Sequence, residues 1–353
     1  MRVLMLVQQI DERDWLRAFI VTWVRALAEH VDRVDVLTLE QGEATLPDNV
    51  FVRSMGKERG KNRPREMANF HRGMMALAPH ADVIFSHMTP RYTVLATPYA
   101  MLFGKRQVLW YTHRHASRQL RIALRSAWRI ATAAPESFPL PSHKVRVLGH
   151  GIDTDFFSPA DNLPDERTRY VVQVARLMPI KHQTTLLRAI AAVPNAHAVF
   201  IGDVPAGQEL YTRYASSLAA LADELGISHR VTFTGGLLSG QVRDWYRRAS
   251  VAVNLSPPGL FDKAALESMA CGVPTVVSSR AFDALLGPEA GCLRIEEPED
   301  VGGLTQRLHY LLSLPRNDLK ALGRQAREHV TAQHSLRRLM PRLVRLFETG
   351  EVE

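Results

Sequence analysis

Strand-length apolar runs alternate with helix-length amphipathic segments along the chain, and past residue 169 the alternation starts afresh. Parallel strands need long crossovers, usually helical, so this pattern directs the chain into doubly wound α/β sheets, and its restart into two of them. In the first half the strand runs cover residues 3–7, 34–39, 82–86, 107–111, 130–134 and 144–148. Between the first two, Phe19, Trp23, Leu27 and Val31 recur at helical spacing, which predicts a helix over 15–30. In the second half the runs cover 170–174, 197–201, 230–234, 251–254, 275–277 and 292–295. Helices are expected there over 183–191, 207–225, 240–248 and 263–270, with a closing pair over 316–333 and 336–348. Pro159, Asn162, Pro164 and several charges interrupt the pattern between 158 and 169, which places the joint there. The organisation expected is an amino-terminal domain over 1–160, a carboxyl-terminal domain over 161–335 and a final helix over 336–353. The charged stretch 57–66 reads as a mobile basic loop.

At 353 residues the chain is long enough for two cores. Cys271 and Cys292 are its only cysteines, which excludes a disulfide framework or a cysteine zinc cluster and suits a reducing compartment. The opening apolar run is too short for a signal peptide, and no segment reaches the ~18–20 apolar residues of a membrane span. A soluble, cytoplasmic protein is expected. The net charge of +8 is concentrated in the first half: residues 1–160 hold 22 Lys and Arg against 15 Asp and Glu. That imbalance suggests an anionic partner for the first half: phospholipid, nucleic acid or a phosphorylated acceptor.

Four stretches of the second half can carry chemistry. Residues 261–279 read as a polar entry at Asp262 and Lys263, a short helix bearing Glu267, a stop at Gly272 and Pro274, and a buried strand. Arg176 and Lys181 follow a strand and precede a helix, where two cations and free helix N–H groups suit a diphosphate; a solvated loop is the plainer reading. Gly202-Asp203 ends the next strand, and Gly235-Gly236 another. Glycine there admits a ligand close to the backbone or simply makes a tight turn. Together these put polar strand ends on one edge of a parallel sheet, where open α/β sheets bind ligands.

The second half closely resembles the glycosyltransferase family 4 enzymes. The matching pieces occur in the family's order: Val-Ala-Arg-Leu-Met-Pro-Ile-Lys at 174–181, Phe-Ile-Gly-Asp at 200–203, Val-Thr-Phe-Thr-Gly at 231–235 and Ala-Leu-Glu-Ser-Met-Ala-Cys-Gly-Val-Pro-Thr-Val at 265–276. His-Ser at 334–335 resembles the closing segment, and Gly-His-Gly-Ile-Asp-Thr-Asp-Phe-Phe at 149–157 carries a looser likeness in the first half. The resemblance implies a GT-B fold, two doubly wound Rossmann-like domains facing a cleft, with the final helix crossing back to the first domain. It implies a retaining hexosyltransferase that moves a sugar from a UDP- or GDP-sugar to a hydroxyl acceptor without a metal or other cofactor. Arg176 and Lys181 would then bind the donor diphosphate, Gly202 would line its site and Glu267 would accept from the ribose hydroxyls.

One departure stands out. The family's other motif glutamate, eight positions before Glu267, is Gly259 here. In the family that glutamate contacts the transferred sugar; either Asp262 takes over its hydrogen bonds while Lys263 approaches a phosphate or an acidic sugar, or the two simply cap and flank the helix. In the first half, His113 ends a strand and is the active-site candidate by likeness, a surface or structural histidine being the alternative; His87 is a second candidate and His150 sits in the interdomain turn, and for both the structural reading is preferred. The glycine-rich loop common after the first strand is replaced by Gln8-Gln9-Ile10-Asp11-Glu12. Arg114, Arg118, Arg121, Arg125 and Arg129 are spaced for one helical stripe, either a solvated face or a contact to an anionic membrane or lipid-linked acceptor. A peripheral position on the inner face of the membrane would follow from the latter; no recognition motif supports nucleic acid. The rivals to a transferase are a non-catalytic sugar-nucleotide-binding subunit and a sugar-nucleotide epimerase of the same fold.

Overall fold

The structure is a computed structural model that describes residues 1–160, 169–205 and 207–352, apart from the side chains of residues 289 and 290. The chain forms two compact units. The first takes in Met1–Gly151 and His334–Glu353, and the second Ile152–Gln333. The chain thus leaves the first unit at Gly151, ahead of the expected boundary at 160. Most of the expected joint, residues 161–168, lies outside the described residues.

The first unit is built on β1 (Arg2–Ile10), β2 (Arg33–Gln41), β3 (Val50–Ser54), β4 (Val83–His87), β5 (Arg106–Trp110), β6 (Arg129–Thr132) and β7 (Val145–Val147). Among the described residues they make one seven-stranded sheet in the order β3-β2-β1-β4-β5-β6-β7. Every pairing in it is parallel. The helices α1 (Phe19–Ala28), α2 (Arg63–Leu77), α3 (Pro90–Leu102) and α4 (Arg118–Ser126) connect its strands. On one part of the sheet, Leu4, Leu6, Leu37 and Ile84 pack with Phe70 and Met74 of α2 and Tyr92, Ala96 and Tyr99 of α3.

The second unit carries β8 (Arg169–Val174), β9 (Ala196–Ile201), β10 (Val231–Phe233), β11 (Val251–Asn254) and β12 (Thr275–Val277), all parallel, in the order β10-β9-β8-β11-β12. Its helices are α5 (Gln183–Ala191), α6 (Glu209–Glu224), α7 (Ser239–Arg248), α8 (Lys263–Ala270), α9 (Asp283–Leu286), α10 (Ala290–Leu293), α11 (Val301–Ser313) and α12 (Arg316–His334). Strand order reverses direction between β8 and β11, which makes the carboxyl ends of those two strands the switch point of the sheet.

The last helix, α13 (Leu336–Thr349), belongs to the first unit. Its buried stripe of Leu336, Leu339, Met340, Leu343, Leu346 and Phe347 faces that unit's core, with the Phe347 ring 5.1 Å from Phe85. Arg106 donates to the Glu348 carbonyl at 2.7 Å and Arg129 to the Gly350 carbonyl at 2.8 Å, so the chain end is tied down.

Four sequence expectations are corrected. Strand β3 was not anticipated, because an edge strand with exposed Phe51 and Arg53 shows only three apolar residues. Residues 292–295 do not form a strand; α10 runs into them and only one bridge, Val277 to Arg294, continues the sheet before Glu296 and Glu297. The stretch 57–66 is structured: a 3₁₀ turn covers Lys57–Arg59 and α2 begins at Arg63. Asn62 caps that helix by accepting from the Arg65 N–H at 3.1 Å, while Glu66 reaches back to the Asn62 N–H at 3.0 Å. The five-arginine stripe is broken as well. Helix α4 carries Arg118, Arg121 and Arg125 only; Arg114 precedes it, and Arg129 belongs to β6, opposite Val108 of β5. Strand pairing won there because each ladder residue in a buried sheet satisfies two backbone groups, which outweighs surface charge spacing.

Candidate active site

The residues singled out in the second unit converge on its switch point. Beyond β8 the chain runs through Arg176 into a 3₁₀ turn over Pro179–Lys181 and then α5; beyond β11 it runs through Ser256 and a turn into α8. Two buried glutamines hold the first of these segments. Gln173, a polar residue inside an apolar strand, donates to the Lys181 carbonyl at 2.7 Å. Gln183 donates to the Arg176 carbonyl at 2.9 Å and accepts from the Tyr214 hydroxyl at 3.1 Å. His182 takes the left-handed conformation, φ +50°, that lets the turn enter α5 directly.

Gly202 supports the same segment from below. Its N–H donates to the Gly235 carbonyl at 2.9 Å, and a Cβ added there would stand 2.1 Å from the Ala175 carbonyl oxygen. With φ at +140°, the position combines a left-handed backbone with a contact only glycine allows. Gly202 therefore shapes the loop that bears Arg176.

At the centre stands Lys181. Its ammonium donates to the Ser256 hydroxyl at 3.0 Å and forms an ion pair with Asp262; Ser256 in turn donates to the same carboxylate at 2.9 Å. Burial pushes the Asp262 carboxyl up, but the Lys181 charge and hydrogen bonds from Lys181, Ser256 and Asn254 outweigh it and hold the group well below the usual carboxylate range. Asp262 occupies the N-cap position of α8 without capping it, so the simple helix-capping reading fails for its side chain.

Glu267 is buried on α8 and paired with Lys263 one turn earlier. Burial raises its carboxyl above the usual value, the Lys263 charge works against this, and Asp262 adds to the rise. Arg176 is exposed, and among the described residues its guanidinium has no ion-pair partner. Four of the expected residues thus form two adjacent ion pairs, Lys181 with Asp262 and Lys263 with Glu267, while Arg176 stands free at the strand end. Ser256, Gln173 and Gln183 were not singled out from the sequence. Gln173 had a signal there, as the one polar residue among valines of the strand; Ser256, in a proline-rich turn, had none.

Gly259 has a local explanation. It follows Pro258 in a turn closed by the Leu260 N–H donating to the Pro257 carbonyl at 3.1 Å, and its φ is +78°. A positive φ at the third residue is what a type II turn requires, and proline is common at the second, so a glutamate at this position would be strained.

His113 belongs to the first unit. Strand β5 stops at Trp110, and His113 lies three residues beyond, exposed, its ring 5.7 Å from that of Tyr111. His150 is half-buried after β7. His87 closes β4 and is 2% exposed, enclosed by Phe19, Trp23, Phe85 and Trp110; the nearest ring centroid, that of Trp23, is at 4.8 Å. Neither of its ring nitrogens has a hydrogen-bond partner among the described residues. Burial, helped by the charge of His150, lowers it to about 3. Among the described residues no group of three or more His, Cys, Asp or Glu is arranged to hold a metal, and no helix is long and apolar enough to cross a membrane.

Two parallel doubly wound units, with polar side chains gathered at the switch point of the second, define a protein of GT-B fold. Solved structures share that fold over nearly the whole chain. Sucrose-phosphate synthase from Thermosynechococcus elongatus superposes with a TM-score of 0.78, covering 99% of both chains at 17% identity. Anabaena HepE in complex with UDP and glucose gives 0.79, covering 99% of this chain and 100% of that one at 16% identity. In sequence, residues 168–313 match the family model described as glycosyl transferases group 1, and through them the chain is related to that family. A D-inositol 3-phosphate glycosyltransferase of Mycobacterium sp. (strain KMS) is 35% identical over 143 residues, 38% of this chain and 32% of the relative. The MMP alpha-(1->4)-mannosyltransferase of Mycolicibacterium hassiacum is 28% identical over 246 residues, 68% of this chain and 57% of the relative. The chain therefore spans about a third of the length of the first of these relatives.

Proposed function

We propose that the protein is a retaining glycosyltransferase that uses a nucleoside diphosphate sugar, UDP- or GDP-linked, as donor and a hydroxyl compound as acceptor. The observation that carries this reading is the cation at the switch point: Lys181, held by Ser256 and Asp262, with Arg176 free at the end of the same strand. As the bond between the anomeric carbon and the diphosphate oxygen breaks, charge grows on the diphosphate. Fixed cations stabilise that charge where it develops. In this reading Lys181 exchanges Asp262 for a phosphate oxygen, and Arg176 supplies the second positive charge with no metal required. The released Asp262, together with Lys263, then faces the transferred sugar, and Glu267 accepts from the ribose diol. The acceptor oxygen bonds to the anomeric carbon on the face the diphosphate leaves, and its proton passes to the leaving phosphate oxygen. No protein nucleophile is needed. The first unit would supply the acceptor side, with His113 near the sugar.

The relatives' names support a glycosyl transfer, and the complex of HepE with UDP and glucose supports a UDP donor. An inner-membrane location with a lipid-linked acceptor would now rest on Arg118, Arg121 and Arg125 beside exposed Ile122. A rival reading, a donor-binding subunit without turnover, is favoured by Gly259 alone.

The test is Arg176→Ala combined with Lys181→Ala, assayed with UDP- and GDP-sugars. Transfer and slow donor hydrolysis should both disappear while the far-UV circular dichroism stays that of the parent. Unchanged turnover would overturn the assignment. A parent protein that binds donor in calorimetry yet neither transfers nor hydrolyses it would establish the rival.

A further inference from the structure

The first unit contains a groove of about 660 Å³ at the carboxyl ends of β2 and β3, on residues with no place in the donor chemistry above. Four arginines line it, Arg53, Arg59, Arg65 and Arg72, against one carboxylate, Glu58. That carboxylate is already engaged: it accepts from the Ser54 hydroxyl at 2.7 Å and the Gln41 N–H at 3.3 Å, and it pairs with Arg59 at 3.8 Å, which among the described residues leaves Arg53, Arg65 and Arg72 without a carboxylate. Arg53 and Arg72 are exposed, and among the described residues their guanidinium groups have no hydrogen-bond or ion-pair partner. The groove therefore holds a surplus of positive charge that no protein group neutralises.

The geometry over Gly56 is more specific. Arg65 spends one nitrogen on the Gly56 carbonyl at 2.8 Å and on the Gly60 carbonyl, while its Nε is buried with no acceptor. Arg65 Nε and Asn69 Nδ2 both border Gly56: a Cβ built on that residue would stand 3.6 Å and 3.4 Å from them, so the bare glycine leaves a ligand room to approach both donors. Gly56 has φ +93°, so the backbone itself keeps this place open. A buried, unsatisfied charged donor, beside an amide that spends one of its two hydrogens on the Met55 carbonyl at 3.0 Å and in one groove with two free guanidinium groups, is an arrangement that lacks an oxyanion.

We infer that this groove binds a phosphate monoester carried by a small polar molecule. Phosphate offers enough oxygens to meet Arg65, Asn69 and the two free arginines at once, and guanidinium pairs with it through two parallel hydrogen bonds. The volume suits a phosphorylated sugar or polyol rather than a single ion. The polar lining around it favours a hydrophilic body.

The test uses the full chain at low salt and two probes, glycerol 3-phosphate in calorimetry and phosphatidate vesicles in sedimentation. Its variant is Arg53→Gln with Arg72→Gln; both positions are exposed, so the fold is preserved. Glycerol 3-phosphate should bind with a dissociation constant below about 10 mM, and each lost guanidinium should weaken it about tenfold. UDP binding should be unchanged, which separates this site from the donor reading. Vesicle binding that the variant abolishes, without binding of the free ester, would overturn the small polar carrier and assign the phosphate to a lipid headgroup. Phosphate binding equal in parent and variant, or no binding of either probe, would overturn the inference.

Discussion

Replacing His87 by phenylalanine should remove a defined part of the acid sensitivity of the first unit. In the folded protein His87 is held at about 3, against an ordinary value of 6.5 for the unfolded chain. A base with a depressed folded pKa contributes no pH dependence above its unfolded pKa. As the pH falls below that value, the unfolded chain takes up a proton that the folded chain refuses, and stability is lost until the folded pKa is reached. The window is therefore roughly pH 6.5 down to 3, with a limiting slope of about 1.4 kcal/mol per pH unit. Between about pH 7.5 and about pH 5 the loss amounts to about 2 kcal/mol. The His87→Phe variant keeps a flat ring among Trp23, Phe85 and Trp110 but has nothing to protonate. Any packing offset shifts its stability equally at both pH values. His334, which burial and His150 lower to about 4, contributes to both proteins and cancels in the comparison. The assay is equilibrium urea unfolding at the two pH values, read from the fluorescence of Trp23 and Trp110 beside the site. The parent should lose about 2 kcal/mol more than the variant on acidification. Equal losses would refute the argument, because they would mean that His87 is hydrated or partnered in solution.

Two further outcomes follow from the second unit. Asp262→Ala leaves the Lys181 ammonium part-buried without its carboxylate and should cost about 2 kcal/mol, between the values for surface and fully buried pairs, as a lower melting temperature near neutral pH. Because the Asp262 carboxyl is held below its ordinary value, that difference from the parent should fade as the pH drops below the normal aspartate range; a difference that persists in acid would show that the pair does not form. Gly202→Ala places a Cβ 2.1 Å from the Ala175 carbonyl at a φ of +140°, so the segment carrying Arg176 must shift. We expect a loss of about 2–3 kcal/mol together with weaker donor binding, and unaltered calorimetry with UDP would contradict the supporting role given to this glycine.

Much of the fold was legible because buried parallel strands are read from local composition. Val251-Ala-Val-Asn254 and Thr275-Val-Val277 became strands with the expected bounds, and α5 and α8 occupy 183–191 and 263–270 as their spacing predicts. What was missed lies where local signals are weak or compete. Strand β3 is half exposed and short. The run 57–66 contains a capping asparagine, a proline and a returning glutamate, all legible, yet its charge density suggested a loop. The arginine spacing of 114–129 fitted a helix, but the sheet claimed Arg129.

For the site, the chain's own order of residues was enough to nominate Arg176, Lys181, Asp262, Lys263 and Glu267, since each sits in a loop or helix directly after a strand and the crossovers of a parallel sheet bring all such ends to one edge. Which of them touch was decided only by folding. Lys181 and Asp262 are 81 residues apart, and their pairing depends on β8 and β11 becoming neighbours at the switch point. The same holds for the arginine groove, where Arg53 on a strand, Glu58 in a turn and Arg65 and Arg72 on a helix share one space. Periodicity and capping act over a few residues and are written in the chain. Partnerships between side chains depend on distances that exist only once the sheet order is set.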